Sequence, residues 1–596
     1  MKKLIIVIIV VACFESICAQ NSVEFQLTDF PVKEGFTIGI RGDTKPLSWE
    51  NSIEMVLTDS LYKANLDFPN EADQIEFKFV LCDNKGNVIW ETNENRTLKL
   101  LKEGKSISLN QWDVEPVIDI SLLPKLHPQG LREDFELLKS MVLDVHPATY
   151  RYNDSISIQK AIQELEVKFQ NQITYQDAYL AISKLLAQLQ CDHTFASYYN
   201  QGNQIKSIIH KQKNKLPFAF KWIDKKMIVT FNATDNDQLK RGTEIVSINH
   251  IPAKDILVAL LPYVSSDGAT NKSRTSKLEV ESYDFRYYDF DVFIPLVFSS
   301  VTDSLVLEIE QVGEEIIETI VVEPQTLTER SQMLTERYPE FPKSKNDLWN
   351  FEITDDNICI LTLNSFGLMG WKSLSIDYKA FLANVFSDLK QKEVKDLIID
   401  IRQNNGGNDE ILQELMGYFD IERIKVENSE GRTRYNLFPS DLRNHINSWG
   451  DPWYYDLTNQ NPTQREGYYI FPDAYTANIR NKKKKNYFKE KIYLLTSPAN
   501  VSLAYYFAKN FKIEKLGLIV GEETGGNQQG INGGQILFLK LPYSGIEIDF
   551  PVIGEFSTLP LPNGGIKPDK EIQITQKDIA LGIDKTLEYV QKEIKK

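Results

Sequence analysis

The stretch KIYLLTSPANVSLAYYFAKNF, Lys491–Phe511, decides how this chain is read. Ile492–Leu495 is an unbroken apolar run, followed by Thr496 and Ser497, the pattern of a buried strand. From Leu503 the period changes, and Leu503, Phe507 and Phe511 fall on one helical face. Ser502 stands between the two, at the turn from strand to helix. A helix N-terminus presents free N–H groups and a positive partial charge, so a serine there is an N-cap or a nucleophile. The stretch alone leaves both roles open.

The surrounding residues, about 326–596, repeat the strand-then-helix rhythm. ICILTLNSF reads as a strand, with a helix at Tyr378–Lys390 after it. In VKDLIIDIRQNNGGND, Leu397–Ile401 reads as a buried strand and Asn404–Gly407 as a turn into a helix at Glu410–Phe419. Strands alternating with helices imply an α/β core. Gly406 and Gly407 either make a plain turn or let backbone N–H groups approach a ligand oxygen. LGLIVGEETGGNQQGINGG is a further strand feeding a glycine-rich turn. The aromatic region from Glu422 to Tyr487 lacks a clear period and reads as a structureless lid or binding loop.

Upstream, residues 131–205 carry a helical stripe of Phe135, Leu138, Val142 and Val145, ended by His146-Pro147. A second helix starts at Thr174, with Asp177 as its capping-box partner, and runs through Leu189. It delivers QCDHTFASYY, with His193 just past its end and Asp192 beside it. Such a histidine is a general base or a packing group. The chain has six histidines, so the field for a base is small. Residues 206–325 hold strand-like runs and GTEIVSINHIP, then a helix from Ala253, while Leu261–Tyr288 reads as loops.

Residues 21–108 show seven short strand-like segments with turn signals such as Asp83–Gly86 between them, the pattern of an all-β sandwich. Trp49 and Trp90 are either core residues or planar faces for sugar rings. Residues 109–130, with three prolines and no period, read as a linker.

At 596 residues the chain is too long for one core, and its 42% hydrophobic and 25% charged content is that of an ordinary folded protein. A net charge of −16 argues against nucleic acid or an anionic membrane as main partner. Lys482–Lys485 reads as a solvated turn. Residues 1–19 have the layout of a signal peptide, with Lys2, Lys3, the apolar run Leu4–Ala12 and cleavage after Ala19. Export to the periplasm, cell surface or medium is expected, without a transmembrane span. Outside that segment, which holds Cys13 and Cys18, Cys82, Cys191 and Cys359 read as buried free thiols. No Cys/His spacing suits zinc, so neither a metal nor another cofactor is expected.

Three resemblances add to this. IEFKFVLCDNKGNVIWETNENRTL resembles the family-20 carbohydrate-binding modules, starch-binding domains. That likeness implies that Trp49, Lys78, Trp90 and Asn95 hold an α-glucan, with Tyr62 alone offered for the family's second site. GTEIVSINHIP resembles the Gly-Asp-x-Ile-x-x-Ile-Asn-Gly signature of PDZ-like domains, with His250 in place of the glycine, and implies a PDZ-like fold over 206–325. Residues 131–590 resemble the S41 peptidases, tail-specific and tricorn-type processing proteases, through DHT, GTEIVSIN, LIIDIRQNNGGN, LLTSPANVSLAYYFA, VGEETGG and GGIKPD in that order.

The S41 resemblance implies that Ser502 is the nucleophile, and that Gly406 or Gly407 forms an oxyanion hole with the Leu503 N–H. It implies His193 as base, because Gly525–Gln528 lacks the lysine of the other branch. Tyr505 and Pro562 stand where the family often has glutamates. The orienting carboxylate is thus missing or comes from Asp192 or Glu555. The expectation is an exported serine endopeptidase acting on polypeptides and carrying a starch-binding module. The alternative is an inactive relative that binds starch or peptides.

Overall fold

The computed structural model describes residues 21–596 apart from 29–34, 59–60, 84–87, 92–94, 101–104, 112–119, 121–122, 282–287, 299–303, 340, 342–344, 369–375, 422, 425–428, 451–452, 472–478 and 481–482. The signal segment 1–19, most of the Asp83–Gly86 turn, much of the 109–130 linker and Lys482 lie outside the described residues. The chain divides into two compact units, residues 1–118 and 119–596.

The first unit is a β-sandwich. One sheet has the order Val56–Thr58, Leu61–Phe68, Asn21–Thr28, Lys105–Gln111, and its last pair is parallel. The other has the order Ile53–Glu54, Phe36–Gly42, Gln74–Asp83, Val88–Trp90, with Arg96–Lys99 also on Gln74–Asp83. Alternating side chains from both sheets, among them Phe25, Ile38, Ile40, Phe77 and Phe79, fill the space between them. The seven expected segments are present as strands. One of the seven, expected as a single strand over Ile53–Leu57, is divided, however, with buried Met55 marking where the chain passes from one sheet to the other. The parallel strand Lys105–Gln111 runs into the expected linker, because KSISLNQ carries few apolar residues to announce it.

In the second unit, the central sheet has the order Trp349–Ile353, Ile358–Leu363, Asp396–Asp400, Lys491–Thr496, Leu518–Gly521, Lys570–Glu571. All its pairings but the first are parallel. Its central strands are covered on both faces, which is why they read as continuous apolar runs. Helices Tyr378–Gln391, Asp409–Met416 and Ser502–Ile513 follow successive strands, as expected of an α/β core.

A second sheet carries Phe218–Ile223, Lys226–Asn232, Glu244–Ile248, Leu305–Glu310 and Ile317–Val322 in that order. Helix Ala253–Leu260 follows its third strand. Leu261–Tyr288 is not all loop: Asn271–Lys277 forms a helix too polar and short to show a period. A third sheet has the order Ile446–Ser448, Gly534–Lys540, Glu547–Ser557, Ser429–Thr433, Tyr468–Phe471, Thr463–Arg465. The stretch 422–487 is therefore no structureless loop. It supplies four strands to this sheet, and Ser429–Thr433, sequence SEGRT, is buried through small and paired polar side chains that carry no apolar signal.

Among the described residues, no helix is long and apolar enough to cross a membrane. Cys82, Cys191 and Cys359 are free thiols, with Cys82 half-buried rather than buried.

Candidate active site

Parallel α/β sheets hold their ligands beyond the carboxyl ends of the strands. Here three such ends converge: residues 401–408, 497–502 and 522–528 follow Asp396–Asp400, Lys491–Thr496 and Leu518–Gly521. Asn500 ties the first two, its side-chain amide donating to the carbonyls of Ile401 and Asn404 at 2.5 and 3.0 Å. The family marks at the third end also meet. Gly565 N–H donates to Glu523 Oε1 at 2.9 Å, and Ile566 N–H to Thr524 Oγ1 at 2.9 Å.

Ser502 opens its helix with φ +50°, the left-handed region that a non-glycine residue enters only under constraint. That conformation holds the hydroxyl at the mouth of the turn, half-exposed, instead of over the helix as a cap; the helix has no side-chain cap at its start. The Ser502 backbone is fixed by the buried face Ala504, Phe507, Ala508 and Phe511 that packs on the sheet. Leu503, placed on the same face by its spacing, is half-buried.

His193 Nε2 lies 3.0 Å from Ser502 Oγ, although 309 residues separate them in sequence. Its placement follows from local structure on both sides. Thr174 and Asp177 close the expected capping box, and helix Tyr175–Gln188 ends at Leu189. Just after His193, Phe195–Ala196 pairs with the long strand Glu547–Ser557. Burial holds the His193 pKa below its ordinary value; the Asp192 charge opposes this and Lys277 reinforces it. The imidazole is then neutral at neutral pH, the state that accepts a proton.

Gly406 and Gly407 divide the work expected of them. A Cβ on Gly406 would lie 2.8 Å from Ser502 Cβ and 2.9 Å from the Leu503 nitrogen, so only glycine admits this approach. The Gly406 N–H, however, donates to Asn404 Oδ1 at 2.9 Å and its carbonyl accepts from Phe366 N–H at 2.9 Å. Gly406 supplies space and not a donor. Gly407, with φ +145°, and Leu503 each keep a main-chain N–H with no hydrogen bond among the described residues.

Neither carboxylate named from the sequence bonds to the imidazole. Asp192 is committed to an ion pair with Lys277, whose ammonium also donates to the Ser265 carbonyl at 3.1 Å. Glu555 is buried, with burial raising its pKa to about 7; Lys509 Nζ lies 3.5 Å from its Oε1, and Arg151 donates to its main-chain carbonyl at 2.8 Å. His193 Nδ1 has no well-aligned partner among the described residues, but the Asn532 carbonyl acts on the ring and favours its charged form. Tyr505 is fully buried, with its ring against Gly526, whose added Cβ would lie 2.5 Å from Tyr505 Cγ. Pro562 is exposed.

Sequence reasoning missed Lys277, Asp267, Asn532 and Gly533. Asp267 Oδ1 accepts from the Asp192 N–H at 3.0 Å and so fixes the backbone beside His193. Gly533 lies against the imidazole, where a Cβ would stand 2.9 Å from His193 Cε1. Glycine-rich GINGG was the available signal; nothing marked Lys277.

On the first unit, Trp49 and Trp90 come together, with ring centroids 6.1 Å apart and planes tilted by 44°. Trp90 is 38% exposed, high for a tryptophan, and Trp49 is half-buried. Lys78 Nζ reaches the Glu91 carbonyl at 3.4 Å, and exposed Asn95 donates to Glu76 Oε2 at 3.2 Å. Arg41, not singled out from sequence, underlies the pair: its guanidinium donates to the Trp49 carbonyl at 2.8 Å and lies 5.1 Å from the Trp90 ring centroid. A groove of about 960 Å³ runs beside Trp49, walled by Leu47, Phe68 and Pro69.

Residues 357–543 match the model of peptidase family S41, and residues 20–109 match that of the starch binding domain. Among solved structures, mature CPAF complexed with lactacystin is 13% identical, with 78% of this chain and 97% of that one covered and a TM-score of 0.52. A serine-to-alanine mutant of CPAF has the same identity and coverage and a TM-score of 0.54. At that identity the likeness shows a shared fold.

Proposed function

We propose that this chain, which carries a starch-binding domain followed in sequence by an S41 peptidase core, is an exported serine endopeptidase that also binds α-glucan. The observation that carries the reading is the 3.0 Å approach of His193 Nε2 to Ser502 Oγ, at a left-handed turn beside two unengaged N–H groups. In the proposed reaction Ser502 Oγ attacks a peptide carbonyl while His193 Nε2 takes its proton, then returns it to the leaving amine. The tetrahedral oxyanion forms against the N–H groups of Leu503 and Gly407. Acyl-enzyme hydrolysis repeats the sequence with water as nucleophile.

His193 works in this scheme without a carboxylate in contact. The Asn532 carbonyl beside the ring favours its charged form, while Nδ1 itself makes no hydrogen bond among the described residues. Asp192 stabilises the imidazolium through space, weakened by its Lys277 partner. Loss of a contacting acid costs up to about 10⁴-fold in a serine triad, so turnover is expected to be slow. The same observation favours a second reading, a non-catalytic peptide-binding protein on the same scaffold.

Residues 206–325 are read as PDZ-like, and residues 1–19 as the signal for export. On the sandwich, Trp49 and Trp90 stack on glucose units while Lys78 and Asn95 hold hydroxyl groups. Digestion of a quenched fluorescent peptide library tests the peptidase reading. Cleavage that disappears in Ser502→Ala and His193→Ala supports it; no cleavage by the parent protein near neutral pH sinks it.

A further inference from the structure

The sheet of residues 218–322 has two outer strands, and the chain treats them differently. At Phe218–Ile223 the edge is closed: Phe220 N–H donates to the Val280 carbonyl at 2.8 Å, Val280 N–H returns a bond at 3.3 Å, and the Trp222 indole donates to the Leu278 carbonyl at 2.8 Å. At Ile317–Val322 the edge is open. Beyond its ladder with Leu305–Glu310, no backbone hydrogen bond among the described residues involves this strand.

The register says which groups face outward. Val306 stands opposite Val321, and Val306 bonds away from it, to Asn249, through both N–H and C=O at 2.7 Å. Directly opposed antiparallel residues either exchange both bonds or both point away from each other, so the Val321 N–H and C=O point into open space. The side chains of the strand repeat the message: Ile317 and Val321 are 56% and 60% exposed. A long exposed apolar edge is a template for strand pairing unless a partner uses it.

A groove of about 600 Å³ runs between the end of this strand and helix Leu327–Arg337, with Val322, Pro324 and Met333 on its walls. Glu323 and Glu336, both exposed on its rim, have no ion pair among the described residues. A twofold antiparallel pairing with a second copy, centred on Glu318 or on Thr319, would set Glu318 against Glu318 or Glu323 against Glu315, which like-charge repulsion opposes.

We infer that the open edge Ile317–Val322 and its groove form an exosite that takes an extended segment of polypeptide bearing lysine or arginine at alternate positions, by strand addition. Its backbone bonds to the outward groups of Val321 and Thr319, its apolar side chains cover Ile317 and Val321, and its cations meet Glu323 and Glu336. The choice of a polypeptide rests on the peptidase reading, whereas the docking itself requires no catalysis.

The test uses full-length protein with Ser502→Ala, so that binding is read whether or not the serine reacts. A fluorescein-labelled peptide of alternating lysine and valine is titrated by fluorescence anisotropy, beside one of alternating glutamate and valine. The basic peptide should bind in a salt-sensitive manner and the acidic one should not. Val321→Pro removes only an outward N–H, which an edge strand tolerates, and should weaken binding by about tenfold or more. Glu323→Lys with Glu336→Lys should do the same without touching the ladder. Equal affinity for both peptides, unchanged binding in both variants, no binding by the parent, or a concentration-dependent dimer abolished by Val321→Pro would each overturn the proposal.

Discussion

Gly533→Ala is the most revealing single substitution, because it acts on His193 without altering either reacting group. Gly533 does not occupy the left-handed region, so alanine can adopt its backbone. The added Cβ would stand 2.9, 3.2 and 3.3 Å from His193 Cε1, Nε2 and Nδ1, against an ordinary contact of about 3.5–4 Å. The ring must retreat by roughly half an ångström, since the Cβ is backbone-fixed and the imidazole is not. A shift of that size stretches the 3.0 Å bond to Ser502 Oγ towards the limit of about 3.5 Å where it ceases to be one. Misplacement of a catalytic group by about 1 Å costs about 100-fold, which puts the expected loss between roughly 10- and 100-fold. The assay is the second-order rate of reaction with a fluorophosphonate, which needs no knowledge of the substrate. Thermal unfolding followed by circular dichroism checks that the fold is kept. If Gly533→Ala reacts at the parental rate while His193→Ala is slow, the imidazole does not reach Ser502 from a seat against Gly533, and the reasoning fails.

Other consequences are independent of that one. Burial lowers the His193 pKa, and a base acts when deprotonated, so the acid limb of the fluorophosphonate rate should have its midpoint below pH 6.5; a midpoint above it would mean a carboxylate in contact. Trp49→Ala with Trp90→Ala should weaken β-cyclodextrin binding measured calorimetrically, by roughly 1–3 kcal/mol for two stacking faces; unchanged affinity would remove the sandwich's sugar site from these rings. Arg96 and Glu91 form a wholly buried pair, Nη2 to Oε2 at 2.6 Å, and Glu91 Oε1 also accepts from the Phe79 N–H. Arg96→Ala leaves that carboxylate buried alone and should cost the first unit about 3–5 kcal/mol, visible as an earlier transition in scanning calorimetry of the whole chain.

Much of this site was legible because its parts are local. A both-face-buried strand, a period of 3.6 after Ser502 and a Thr-x-x-Asp box each depend on neighbours within a few residues. So do the glycines at 406 and 407, although the sequence could not show that the Gly406 amide is spent on Asn404. What escaped was long-range and polar. Lys277 meets Asp192 across 85 residues, and Gly533 meets His193 across 340, and neither pairing leaves a period. The strand Ser429–Thr433 escaped for a related reason: Glu430 is paired with Arg432 and Arg465, so the segment is buried by charge pairing and small residues instead of by apolar ones. Arg41 escaped because it holds the Trp49 carbonyl and lies over the Trp90 ring from two strands away, a pairing no local pattern announces.

Whether Ser502 is an activated nucleophile is read most simply from the mass of the intact protein after exposure to a fluorophosphonate, followed by peptide mapping. A single adduct is expected on the peptide containing Ser502, absent in Ser502→Ala and slowed in His193→Ala. No adduct on the parent protein, or an adduct elsewhere that persists in Ser502→Ala, would contradict that role.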